Sequence, residues 1–137
     1  MSKQELPRPT DAELEILNVL WQRGAATVRE VHEELGARKA TLYTTVLKML
    51  QIMTEKGLVE RDESQRAHLY RPRLAQDETQ RQLLNDLLAR AFDGSAAKLV
   101  MQALSAKEAS AEELTEIRAL LDRFESERAG ADKEGEE

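Results

Sequence analysis

The 137-residue sequence predicts a mainly α-helical chain, with three helices and a β-hairpin followed by three further helices. Three observations predict it. Apolar residues recur at helical spacing in six stretches. Three of those stretches open on Thr or Ser with Glu three residues later, the pattern of a capping box. Between the third and fourth stretches, residues 58–72 fold back as two short strands closed by Pro72.

Taken in order, residues 1–9 hold two of the three prolines and are expected to form a loose arm. Thr10 and Glu13 begin helix 1, with Leu14, Leu17, Leu20 and Trp21 on its core side and Gly24 at its end. Thr27 and Glu30 begin helix 2, which buries Val28, Val31 and Leu35 and stops at Gly36. Helix 3 is expected over residues 40–56, ending at Gly57. At 100° per residue, Tyr43, Val46, Leu47, Leu50 and Met53 share one face. Thr41, Thr44, Thr45, Lys48 and Gln51 share the opposite one. With Ser64 at the turn of the hairpin, Leu58 faces Tyr70, Glu60 faces His68 and Asp62 faces Arg66. This order of three helices and a hairpin is a winged helix-turn-helix, expected over residues 10–73.

The second half is expected to be a helical dimerisation domain, residues 74–127, followed by a disordered acidic tail, 128–137. Helix 4 is placed at residues 76–92 with doubled apolar positions: Leu83 and Leu84, Leu87 and Leu88, Ala91 and Phe92. Helix 5 carries Leu99, Val100 and Leu104. Helix 6, opened by Ser110 and Glu113, carries Leu114, Ile117, Leu120, Leu121 and Phe124. Three helices this short make a marginal core alone. A doubled stripe can serve one partner within the chain and another from a second copy, so a homodimer is expected. Its apolar contacts are Leu83, Leu84, Leu87, Leu88, Phe92, Leu99, Val100, Leu114, Ile117, Leu121 and Phe124.

Charge points to the partner. Residues 38–73 carry eight Lys and Arg against four acids, within a chain of net charge −6. The outward face of helix 3 offers hydroxyls, an amide and an ammonium, and no acid before Glu55. That pattern fits a helix entering a groove of double-stranded DNA, with the hairpin against phosphates. The DNA-binding set expected is Arg38, Lys39, Thr41, Thr44, Thr45, Lys48, Gln51 and Arg66. Arg38 and Lys39, just before the helix, suit phosphate. The acidic second half would face away from DNA.

Other chemistries find little support. Cysteine is absent, which removes disulfides, thiolate metal sites and thiol nucleophiles. His32 and His68 make a poor metal pair without it, so no metal and no cofactor are expected. No phosphate loop, nucleophile elbow or metal-hydrolase pattern appears, and the chain reads as a non-enzyme. No apolar run approaches 18 residues and the charged N-terminus is not a signal peptide, so the protein is expected in the cytoplasm without a membrane contact. Two rival functions stay open: a ligand-responsive winged-helix regulator of another type, and a winged helix used as a protein-interaction module.

Four groups of residues, in order and at matching spacing, carry a resemblance over about residues 7–125. They are Ala12 to Leu17 with Leu20 and Trp21; Thr45 and Val46 with Lys56, Gly57 and Leu58; Arg66 with Tyr70, Arg71 and Pro72; and Phe92, Asp93, Gly94 and Ser95. On these the chain resembles the penicillinase-repressor family (BlaI/MecI/CopY type). The resemblance implies a homodimeric transcriptional repressor whose winged helix binds an inverted-repeat operator and whose C-terminal helices hold the dimer. It maps the recognition helix onto residues 40–56, with Thr41, Thr44, Thr45 and Lys48 outward, and Arg66 onto the wing. The family's best-known members are released by a sensor protease that cuts an Asn-Phe bond. The aligned bond here is Gln102–Ala103, which does not match. The copper-responsive branch uses C-terminal cysteines, which this chain lacks.

Overall fold

A computed structural model of the chain describes residues 7–135, with side chains as far as residue 132. Six helices and one hairpin follow in order: α1 (Asp11–Arg23), α2 (Val28–Gly36), α3 (Tyr43–Lys56), β1 (Val59–Asp62), β2 (Leu69–Pro72), α4 (Gln76–Ala91), α5 (Ala96–Ala106) and α6 (Ala111–Gly135). The first three helices and the hairpin form a winged helix. Most of the expected N-terminal arm lies outside the described residues.

Capping fixes where α1 and α2 begin. The Thr10 hydroxyl accepts from the Glu13 N–H at 3.2 Å while Glu13 Oε1 accepts from the Thr10 N–H at 2.9 Å. Thr27 and Glu30 repeat the arrangement at the same distances. The Glu30 carboxyl is held below the usual carboxylate range, first by the Thr27 N–H and, against a desolvation cost, by Arg23 at 3.0 Å. At its C-terminus α3 ends in a Schellman motif: the Leu58 N–H reaches Met53 O at 2.9 Å and the Gly57 N–H reaches Thr54 O at 3.2 Å. Gly57 sits at φ +84, where a side chain is strained.

One core joins these elements. It contains Ile16, Leu17, Val19 and Leu20 of α1, Val28, Val31 and Leu35 of α2, Val46, Leu50 and Met53 of α3, and Leu58, Val59 and Tyr70 of the hairpin. Trp21 packs at its margin, half-buried, with its indole N–H donating to Leu74 O at 3.0 Å. Leu14 is half-buried rather than central.

The structure corrects the sequence reading in five places. Helix α3 starts at Tyr43, three residues later than expected, so Thr41 lies in the preceding turn and Leu42 is the N-cap. Tyr43, expected in the core, is 45% exposed at the helix's first position and meets His32 edge-on, with centroids 5.7 Å apart. The hairpin pairs Val59 with Pro72, Glu60 with Arg71, Arg61 with Tyr70 and Asp62 with Leu69. This register brings Tyr70 onto the face of Val59 and leaves Arg66 and His68 in the loop, so the expected Glu60–His68 and Asp62–Arg66 pairs do not form. The physical reason is a third segment: Ala26 exchanges backbone hydrogen bonds with Tyr70 at 3.0 and 2.8 Å, pinning β2 from its other side. A turn alone fixes register weakly, whereas a buried tyrosine bonded on both edges fixes it firmly.

The division of the chain also differs. It separates into compact units Met1–Ala89 and Arg90–Glu137, rather than near residue 74. Most of α4 goes with the winged helix because Arg8 holds Asp86 at 3.1 Å, Thr79 is buried and Trp21 bonds Leu74. Within the second unit, Asp93 (φ 52) and Gly94 (φ 79) turn the chain, and the Ser95 hydroxyl caps α5 by accepting from the Lys98 N–H at 3.1 Å. Ser110 and Glu113 form the third capping box, both bonds 3.0 Å. Where a disordered tail was expected, α6 continues to Gly135; residues 136 and 137 lie outside the described part. Ala, Glu, Lys and Arg in that stretch are good helix formers, and local propensity outweighs the lack of apolar residues.

Candidate nucleic-acid interface

Helix α3 buries Val46, Leu50 and Met53 and turns Thr44, Thr45, Lys48, Gln51 and Ile52 to solvent. Its first acid, Glu55, comes in its last turn. The turn before it is tied to α2. His32 Nε2 lies 2.7 Å from Thr41 O, and because a carbonyl only accepts, the ring carries its proton on Nε2 and donates. The Thr41 hydroxyl reaches Lys39 O at 3.5 Å. Leu42, 72% exposed, offers no side-chain cap, so the leading edge of α3 is open.

The basic residues of 38–73 sort into two groups. Lys56 Nζ lies 2.7 Å from Glu13 Oε1, Arg61 lies 2.6 Å from Glu63, Arg71 lies 3.4 Å from Asp62, and Lys39 lies 3.5 Å from Glu15. Burial of Glu13 alone would push its carboxyl up; the Lys56 ammonium and the Thr10 N–H outweigh that and hold it low. Asp62 is held low by the Ser64 N–H first and by Arg71. Arg61 is stabilised in its charged form by the Tyr70 hydroxyl, then by Glu63. These four basic groups each have an acid at hand. Among the described residues, Arg38, Lys48, Arg66 and Arg73 belong to no ion pair. Arg38, Lys48 and Arg66 are all exposed, at the turn before α3, on its outward face and in the hairpin loop.

Of the expected DNA-binding residues, Thr44, Thr45, Lys48 and Gln51 therefore share the solvent side of α3, and Arg38 and Arg66 flank it as available cations. Thr41 stands half-buried ahead of the helix, and Lys39 already has an acid near it. Sequence reasoning missed Arg29 and the outward Tyr43. With Arg66 and His68 these line a cleft of about 440 Å³ between α2, α3 and the hairpin loop. Arg29 follows a capping threonine by two residues, but nothing in its local pattern shows that α2 delivers it beside the loop.

The expected dimerisation residues fall into two sets. Leu84, Leu87, Val100, Leu121 and Phe124 are exposed, and Leu83, Leu88, Phe92, Leu99, Leu114 and Ile117 are half-buried. Each doubled pair on α4 thus has one member of each kind. Met101, Leu104 and Leu120, not in the expected set, are exposed as well. Among the described residues no helix is long and apolar enough to cross a membrane, and no group of three His, Asp or Glu is placed to hold a metal ion.

Comparison with known proteins gives these surfaces a family. The family model described as penicillinase repressor matches residues 9–123. A transcriptional regulator BlaI of Mycobacterium tuberculosis is 42% identical over 90 residues, which is 65% of this chain and 65% of that protein. The chain thus spans a little under two thirds of that relative's length. The penicillinase repressor of Bacillus licheniformis is 25% identical over 119 residues, covering 87% of this chain and 93% of that protein. A solution structure of the B. licheniformis BlaI monomer with the blaP half-operator aligns at a TM-score of 0.48, with 26% identity, over 56% of this chain and 93% of that one. The relatives are named as regulators and repressors, not as enzymes. The chain belongs to the penicillinase-repressor family.

Proposed function

We propose that this protein is a sequence-specific transcriptional repressor that binds an inverted-repeat operator in double-stranded DNA as a homodimer, acting in the cytoplasm. The observation that carries the reading is the sorting of charge. Lys48, Arg38 and Arg66 stay outside these ion pairs, and they surround the open side of α3. Lys48 with Thr44, Thr45 and Gln51 reads base edges in the major groove, where hydroxyls, amides and ammonium groups find matching partners. Arg38 and Arg66 take phosphates on either side of the groove. Thr41, anchored by its carbonyl to His32, supports the entry of the helix, and Lys39 exchanges its exposed contact with Glu15 for phosphate at little cost.

The homodimer is supported by apolar faces that one chain leaves open, Val100, Met101, Leu121 and Phe124 among them. Two copies then present two α3 helices to two half-sites. Release by a sensor protease stays outside the proposal, because the bond in question is Gln102–Ala103 within α5.

The test is titration of duplexes that the protein itself selects from random-sequence DNA. Binding is expected to weaken steeply with salt. Lys48→Ala should cost about 1–3 kcal/mol on the selected site and much less on unselected DNA. Arg66→Ala should lower the salt slope by about one while leaving sequence preference in place. A Lys48→Ala protein that binds its selected site as tightly as the parent would refute the assignment of α3.

A further inference from the structure

Apart from Arg66, the residues of the cleft between α2, α3 and the hairpin loop have no role in the reading above. Its floor is apolar, made by Val28, Leu47 and Tyr70. Around it stand Arg29 and Arg66, with Tyr43 and His68. Two arginines lining one concavity bring like charges to it, and a fold tolerates that most easily where an anion is received.

Most of the acids that could quench this charge are engaged elsewhere, and Glu33, one turn on from Arg29, forms no ion pair with it among the described residues. Glu30, next to Arg29 in sequence, accepts from the Thr27 N–H and holds Arg23 at 3.0 Å. Glu34 also turns to Arg23, at 3.7 Å. In the hairpin, Asp62 binds Arg71 and the Ser64 N–H, and Glu63 binds Arg61. The three-residue shift of the hairpin register is what removes Asp62 from Arg66. Among the described residues, neither Arg29 nor Arg66 belongs to an ion pair.

We propose that this cleft is a phosphate clamp, in which Arg29 of α2 and Arg66 of the hairpin loop close on one backbone phosphodiester of the bound duplex. This rests on the DNA-binding reading and extends it to a site off the base-reading face of α3. Arginine forks suit phosphate oxygens, and Tyr43 lines the same cleft. The apolar floor suits the deoxyribose beside the phosphate. Because α2 supplies one jaw and the loop the other, the clamp fixes how α3 is set in the groove without reading a base.

The test uses the full chain with its selected duplex across a range of potassium chloride concentrations. Arg29→Gln, an exposed substitution, should lower affinity about tenfold at low salt and reduce the salt slope by a fraction of one, since Arg66 still faces the same phosphate, with sequence preference unchanged. Arg29→Lys should restore the slope, since it restores the charge. Scanning the duplex with single neutral methylphosphonates should find one position per half-site that reproduces the loss, and there Arg29→Gln should add nothing further. Equal slopes for parent and Arg29→Gln would overturn the clamp and leave the DNA reading standing. A parent protein that selects no duplex would overturn both. Competition by inorganic phosphate at millimolar concentration, with equal effect on parent and Arg29→Gln, would place the anion elsewhere and also overturn it.

Discussion

Glu13 shows how much one side chain can join. It caps α1 through the Thr10 N–H, is only 5% exposed, and pairs with Lys56 at the far end of α3. Glu13→Gln keeps the shape and removes the charge, and should lower stability by about 1.5–3 kcal/mol at pH 7 in urea unfolding, the range for hydrogen bonds to charged groups. The pH dependence follows from the direction of its shift. Its carboxyl is held low in the folded state, so its contribution is complete above the ordinary carboxylate range and disappears as pH falls through the folded value. The difference between parent and Glu13→Gln should therefore close in acid. The Thr10–Glu13 half of this arrangement is legible in the sequence as a capping box. The Lys56 half is not, because 43 residues separate the partners and only the core that α1 and α3 share with α2 and the hairpin brings them together.

At the scale of elements, caps and glycines mark boundaries well, and contacts between elements mark register. Gly57 ends α3 where expected, at a positive φ, and an added Cβ would stand 2.9 Å from the Arg73 guanidinium. That guanidinium is the end of a flexible chain and can move aside, so backbone strain dominates. Gly57→Ala should cost about 1–2 kcal/mol, measured as a lowered denaturation midpoint with unchanged slope. The hairpin is the contrasting case. Its two strands could be found from composition, yet its pairing depends on Ala26, more than thirty residues upstream of the loop's end, bonding to Tyr70. Helix α3 likewise starts later than its pattern suggests, because residues 40–42 continue an outwardly helical pattern while Thr41 instead anchors its carbonyl on His32.

For the whole molecule, the uneven charge and the open apolar faces have to be explained together. Helices α5 and α6 hold no fully buried residue among those described, although they carry Leu99, Val100, Leu104, Leu114, Ile117, Leu120, Leu121 and Phe124. Under the proposed dimer, a second copy covers such faces. Sedimentation equilibrium should then report twice the 15.5 kDa of one chain. Leu121→Asp combined with Phe124→Asp, both at exposed positions, should leave the winged helix folded by circular dichroism and halve the mass. Binding to the two half-sites should lose its cooperativity as well, since the second contact would no longer be intramolecular. A double variant that still sediments as a dimer would place the interface on other residues.

By itself the sequence determined the order and type of the elements, the caps that start three helices, the core stripe of α3 from Val46 onward and the outward set around Lys48. These depend on residues three or four apart, and the periodicity of a helix writes them directly into the chain. Only the tertiary structure decided which basic residues are tied to acids and which stay available, how the hairpin is registered, and that Arg29 comes to stand beside Arg66. Those outcomes depend on partners far apart in sequence, whose meeting is set by packing. The basic helix and hairpin thus carry fewer available cations than their composition offers: Arg38 at the turn before α3, Lys48 on its open side, Arg66 at the cleft beside it and Arg73 just past β2.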